Sequence, residues 1–316
     1  MNNNLYKAIS FGTNFGFKVH YNCLRKFFNF KEIAACSPNI NKKKINVSKK
    51  FNRYNVALKN TYDFISISTP PKVQKKICDL IIKKNIRPIF LILEKPLTHS
   101  FENTKKLLNS LTKKNIKFFV NFIFMNLKEF KLFRKIKNKK NINEFNYIWN
   151  FQQAYFLNKK KTWKISKKDG GGLVNYYLIH IFYNLLFFFK KLKIKNVCLK
   201  KTNKIITQCE ILVIADKVTK LKISMNINSQ KNIHCLNFKT KNYKYELINK
   251  SKNWVNGFEI KKNNRKIYYN KKKIDRTILT LQNYINIKNS PKRKMNNLLS
   301  AKAHEYCEEI LKFRNK

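Results

Sequence analysis

The feature that most constrains the fold is a rhythm in the first 124 residues. Short apolar runs alternate with stretches of helical spacing: "LYKAISF" (5–11), "EIAAC" (32–36), "DFISIS" (63–68), "IFLIL" (89–93) and "KFFVNFIF" (117–124). Val73, Ile77, Leu80 and Ile81 share one helix face over 72–84, helical spacing returns over 101–113, and a first helical pattern runs from Val19 through Leu24 to Phe28. A strand apolar along its whole length is buried on both faces, and intervening helices make such strands parallel. The expectation is an α/β, doubly wound domain over 1–122.

After residue 125 the pattern changes. "EFNYIWNF" (144–151) reads as a strand, followed by alternating runs at Ile211–Ala215, Leu221–Ile227 and Tyr243–Leu247 joined by short polar turns. This predicts an α+β second domain over 123–316, built on a largely antiparallel sheet. An amphipathic C-terminal helix at about 296–313 is expected to pack back on the first domain. "LVNYYLIHIFYNLLFFF" (173–189) is 17 residues long, short of the ~20 that cross a bilayer. It carries Asn175, His180 and Asn184, which are costly in lipid. It is read as a buried helix, and no transmembrane span is expected.

Composition matters at three points. Only 6 of 316 residues are glycine, and Gly12 with Gly16 and the triplet Gly170–Gly172 account for five of them. In so glycine-poor a chain, these clusters mark candidate sites. The net charge is +53, yet 61 of the 69 basic residues are lysine, spread along the whole chain. With abundant Asn, Ile and Phe this fits an AT-rich coding background, and a nucleic-acid partner is not expected because no basic stripe or Arg–aromatic pattern stands out. The acidic residues number only 16, so the surplus also suits an anionic substrate or an anionic membrane surface. Seven cysteines without a CxxC pair read as reduced, mostly buried thiols, no metal site is expected, and "MNNNLYKAISFG" lacks signal-peptide organisation. The expected location is cytoplasmic.

The candidate chemistry lies at strand ends. "GTNFG" (Gly12, Thr13, Asn14, Phe15, Gly16) stands between a strand and a helix, where a dinucleotide fold makes its tight turn. Asn14 replaces the second glycine of GxGxxG and Gly16 comes one place early. An ordinary turn is the competing reading. After the second strand, Ser37, Asn39 and Lys42 to Lys44 stand where a ribose-binding carboxylate would favour NAD. This leans toward NADP, against the alternative of a solvated lysine run. "STPPKVQ" (Thr69, Pro70, Gln74) and "LILEKPLTH" (Glu94, Lys95) follow buried strands, where open α/β sheets bind ligands. Lys95 in such a cleft can stabilise an alkoxide during hydride transfer.

Together these motifs resemble the Gfo/Idh/MocA family of sugar and cyclitol oxidoreductases, in order over nearly the whole chain. "GTNFGFKVH" is similar to the family's glycine turn ending in His, "STPP" to its third-strand loop, with Gln74 where His is common, and "EKPL" to its hallmark. "TWKISKKDGGGLVNYYLIH" resembles the segment that starts with Trp and a basic residue, passes a glycine triplet and reaches the catalytic His. The resemblance implies cofactor binding by the turn, Ser37, Asn39, Thr69, Pro70, Gln74, Glu94 and Lys95. It implies catalysis by Lys95 and His180 with Tyr176 assisting, and substrate contact by Lys95, Asn121, Trp163, Lys164, Gly171 and His180. It also implies that the triplet lies against substrate and nicotinamide, and that the open sheet face pairs with another subunit. Tyr176 stands where the family usually has Asp. The implied activity is NAD(P)-dependent hydride transfer on a sugar, sugar derivative or nucleotide sugar. The alternative is a member that binds cofactor or ligand without turnover.

Overall fold

The computed structural model describes residues 5–25, 29–157, 162–270 and 292–313. The chain divides into two compact units, Met1–Ile123 with Arg276–Ala301 and Phe124–Asp275 with Lys302–Lys316.

In the first unit the five apolar runs become β1 (Tyr6–Phe11), β2 (Phe30–Cys36), β4 (Phe64–Ile67), β5 (Phe90–Leu93) and β6 (Phe118–Val120), with a short edge strand β3 (Lys49–Phe51). All pair in parallel, in the order β3-β2-β1-β4-β5-β6. Every residue of β4 and β5 is buried, as continuous apolar strands covered on both faces should be. The helix Pro71–Lys83 buries Gln74, Ile77, Cys78 and Ile81, and the helix Phe101–Lys113 buries Leu107, Leu108 and Leu111. At the edge of the sheet, Asn296 accepts from Val120 N at 3.0 Å and donates to Val120 O at 3.2 Å. One side-chain amide thus satisfies backbone groups that an edge strand leaves open.

The expected first helix differs from the structure. Gly16–Tyr21 is wound as a π-helix and only Asn22–Arg25 is α-helical, while Phe28 lies outside the described residues.

The second unit is a mixed eight-stranded sheet. Its strands are β7 (Glu144–Gln152), β8 (Leu192–Thr202), β9 (Ile205–Ala215), β10 (Thr219–Asn226), β11 (Asn228–Lys239), β12 (Lys244–Asn249), β13 (Glu259–Lys262) and β14 (Arg265–Tyr269). The order is β14-β13-β12-β11-β7-β10-β9-β8, with β7 and β10 parallel and every other pair antiparallel. Two-residue turns at Asn203-Lys204 and Asn263-Asn264 have positive φ at both positions, the geometry tight hairpins favour. Asparagine here does what glycine does in chains richer in it.

Along β7 burial alternates strictly, with Phe145, Tyr147, Trp149 and Phe151 inward. Of these, the Phe145 ring meets Phe133 of the helix Lys128–Asn138 and Phe188 of the helix Ile179–Phe188. Lys137 Nζ donates to Phe188 O at 2.6 Å, closing that helix at its C-terminus. Edge strand β8 leaves Lys193, Lys195, Lys200 and Lys201 exposed. The expected helix over 173–189 is π-wound at Leu173–Leu178 before the α-helix begins. Among the described residues no helix is long and apolar enough to cross a membrane.

Candidate functional site

The first unit gathers its site residues at the C-terminal ends of parallel strands. Gly12 follows β1 with φ +106°, and a Cβ there would stand 2.8 Å from Ser68 Oγ and 3.0 Å from Ser68 O. A Cβ on Gly16 would run into Ser68 Oγ and stand 2.8 Å from Ser10 Oγ. Both glycines are therefore required by close approach: the turn is pressed against the end of β4. Thr13 and Phe15 are half-buried in this turn and Asn14 is exposed. Beside it, the buried hydroxyls of Ser68 and Thr69 have no hydrogen-bond partner among the described residues. Buried polar atoms normally have one, so a cradle with two such hydroxyls fits an oxygen-rich ligand such as a pyrophosphate. Pro70 precedes the helix Pro71–Lys83 and accepts from Gln74 N at 2.8 Å.

After β2, Ser37 N donates to Phe51 O at 3.0 Å, and Asn39 and Lys42 to Lys44 are exposed. No carboxylate occurs between Ile33 and Tyr62.

The segment after β5 is held from two sides. Gln74, fully buried, donates through Nε2 to Glu94 O at 2.7 Å and Leu97 O at 2.9 Å, and its Oε1 accepts from Glu94 N at 3.0 Å. The Gln74 amide is thus committed to the backbone flanking Lys95, whose bond to Pro96 is cis. The Glu94 carboxylate accepts from His20 Nε2 at 2.9 Å and from Asn121 Nδ2 at 2.9 Å. His20 Nδ1 lies 2.6 Å from the Ser66 hydroxyl. Asn121, expected at the substrate, has its amide in this network, and Lys95 is half-buried. Sequence reasoning gave His20 no role of its own, and Ser66 and Ser68 none at all. The histidine ending the glycine turn was the available signal.

In the second unit the glycine triplet closes a loop. Gly172 has φ +83° and precedes the π-helical turn. A Cβ on Gly171 would collide with Trp163 O and stand 2.6 Å from the Lys164 carbonyl carbon. The loop is also tied by Gly171 N donating to Ser166 O at 2.9 Å and by the Ser166 hydroxyl donating to Asp169 Oδ2 at 2.6 Å. The triplet thus fixes the backbone of Trp163 and Lys164. The Trp163 ring meets Tyr176 edge-on at 5.3 Å. Lys164 Nζ donates to the Tyr155 hydroxyl at 2.6 Å. Burial works against the Lys164 charge, but Tyr176 and Tyr155 outweigh it and raise its pKa.

His180, four residues after Tyr176, is buried with its ring against Phe124 at 5.3 Å and Trp149 at 6.0 Å. On the same helix Asn184 Nδ2 donates to the Tyr147 hydroxyl at 2.9 Å, which in turn lies 2.8 Å from His234 Nε2. The structure brings Trp163, Lys164, Gly171 and Tyr176 together within this unit. Lys95 belongs to the first unit and His180 to the second.

A six-stranded parallel sheet with this strand order and a glycine turn after β1 defines a dinucleotide-binding class of fold. The sequence model of the oxidoreductase family with an NAD-binding Rossmann fold, Gfo/Idh/MocA, matches residues 10–122. That match spans about a third of the chain and lies within the first unit. No curated protein sequence matches the chain.

Among solved structures, the chain is similar to KijD10, a 3-ketoreductase from Actinomadura kijaniata in complex with NADP and TDP-benzene, with 11% identity, 98% of both chains covered and a TM-score of 0.79. It is similar to a levoglucosan dehydrogenase in complex with NADH, at 12% identity, covering 98% of this chain and 97% of that one, TM-score 0.78. It is also similar to a super-repressor mutant of Gal80p from Saccharomyces cerevisiae, at 10% identity, covering 98% and 96%, TM-score 0.75. At these identities the likeness establishes a shared fold.

Proposed function

We propose that the protein is an NAD(P)-dependent oxidoreductase acting on a sugar, sugar derivative or nucleotide sugar. The observation that carries this is the glycine turn pressed against Ser68 beside two buried hydroxyls that have no partner among the described residues, in a domain that matches an NAD-binding family. When bound, the nicotinamide supplies the hydride chemistry. Gly12 to Gly16, Thr69, Pro70 and Glu94 would line it, with Gln74 acting through the backbone it clamps. Lys95 would hydrogen-bond the reacting oxygen and stabilise the charge that develops on it. The His180 imidazole would take the hydroxyl proton in oxidation and return it in reduction. Tyr176, Trp163, Lys164, Gly171 and Asn121 belong to the same reading as substrate-side residues.

The absence of a carboxylate after β2, with Ser37, Asn39 and three lysines there instead, favours NADP. A cytoplasmic location and self-association through the open sheet face complete the proposal.

The test is fluorescence titration of the full-length protein with NADH and NADPH, then turnover on a panel of sugars. NADPH is expected to bind more tightly. Lys95→Ala and His180→Ala are each expected to lower kcat by about 10²–10⁴-fold with cofactor binding retained. A second reading, binding without turnover, is supported by Tyr176 at the expected Asp position. It would hold if the panel gave no turnover while NADPH still bound.

A further inference from the structure

Lys164 is half-buried, and the partners of its ammonium are phenols rather than carboxylates. Nζ donates to Tyr155, and stands 5.0 Å from the centre of the Tyr155 ring and 5.5 Å from that of Tyr176. None of the ion pairs among the described residues includes Lys164. Asp169, in the same loop, accepts from the Ser166 hydroxyl.

Withdrawing an ammonium from water without a counter-ion is costly. Two aromatic faces recover part of that cost. Yet the chain holds the charge in place deliberately: Gly171, intolerant of any side chain, sets the Lys164 backbone, and two tyrosines set its side chain. A fixed cation with no carboxylate partner among the described residues is well placed to meet an anion that arrives with a ligand. The Tyr155 oxygen accepts from the ammonium, so its own O–H remains a donor beside that charge.

We infer that Lys164, with Tyr155 and Tyr176, receives the anionic oxygens of the substrate, a carboxylate or a phosphate carried by the sugar. This rests on the sugar-oxidoreductase reading and names the substrate class within it: hexuronates or hexose phosphates in preference to neutral hexoses.

The test is calorimetric titration of the full-length protein with hexoses, the matching hexuronates and the hexose 6-phosphates, each with and without NADPH. Binding is read directly, so loss of NADPH binding would overturn the oxidoreductase reading while leaving the anion preference measurable. At least one anionic series is expected to bind about tenfold or more tightly than its neutral parent, and to weaken as salt rises. Lys164→Gln is expected to erase the preference and Lys164→Arg to keep most of it. Tyr155→Phe, which removes one hydroxyl only, is expected to reduce it several-fold and serves if Lys164→Gln does not fold. A hexuronate preference assigns a carboxylate, and a hexose 6-phosphate preference assigns a phosphate. Failure of every anion to outbind its neutral parent, or a preference that survives Lys164→Gln, overturns the inference.

Discussion

In the first unit the buried imidazole of His20 meets Ser66 through one nitrogen and Glu94 through the other. In the second, the imidazole of His234 meets a single phenol, Tyr147, and is otherwise walled by Trp149, stacked at 4.7 Å, and by Phe130 and Phe258. Burial pushes the His234 pKa down to about 3. The first arrangement surrounds the turn that bears Lys95, so its hydrogen bonds fix a position. The second sits in an aromatic core and reaches the His180 helix through the chain His234–Tyr147–Asn184. Buried polarity thus serves placement in one unit and, in the other, makes the core sensitive to protons.

The largest effect should separate the two by pH. His234 binds a proton near pH 6.5 when unfolded and only near pH 3 when folded, so the unfolded state holds more protons between those values. Its stability contribution is complete above about pH 6.5 and lost as pH falls toward 3, at up to about 1.4 kcal/mol per pH unit. Urea unfolding across pH should show this slope in wild type and not in His234→Phe. An unchanged slope in the variant would assign acid sensitivity to other groups.

Next in size is Gln74→Leu, which removes the amide that Glu94 N and the carbonyls of Glu94, Pro96 and Leu97 bond. Leaving such buried groups unsatisfied costs about 2–4 kcal/mol, and in the folded protein NADPH affinity and the proposed turnover should both fall. A loss of stability with kinetics untouched would show that the turn does not depend on its clamp.

The smallest effect is expected from Ser66→Ala, about 1 kcal/mol or less, with NADPH affinity within about twofold of wild type. A larger kinetic loss would extend the positioning network beyond Glu94.

The apolar runs that became β1, β2, β4, β5 and β6 were legible because strands buried on both faces need unbroken hydrophobicity. β3 was not, since an edge strand reading "KKF" carries two exposed lysines and a single inward ring. β8 hid for the same reason, and the helix Lys128–Asn138 conceals Phe130 and Phe133 among lysines. Lys95 and the glycine turn could be read locally. The work of Gln74 could not, because the backbone it grips lies 20 residues away, nor could the 74-residue separation between His20 and Glu94. The triplet was visible, but its reason was not: Gly171 answers to the carbonyl of Trp163, a contact no linear spacing reveals.

The outer lysines of β8 carry a consequence for the protein's behaviour in a crowded solution. A long unpaired strand is a template on which another molecule could add its own. Four ammonium groups along that border make a second, equally basic copy an electrostatically poor fit, so the chain resists fibrillar stacking by repulsion. That protection is ionic, and it thins as electrolyte shortens the reach of the charges.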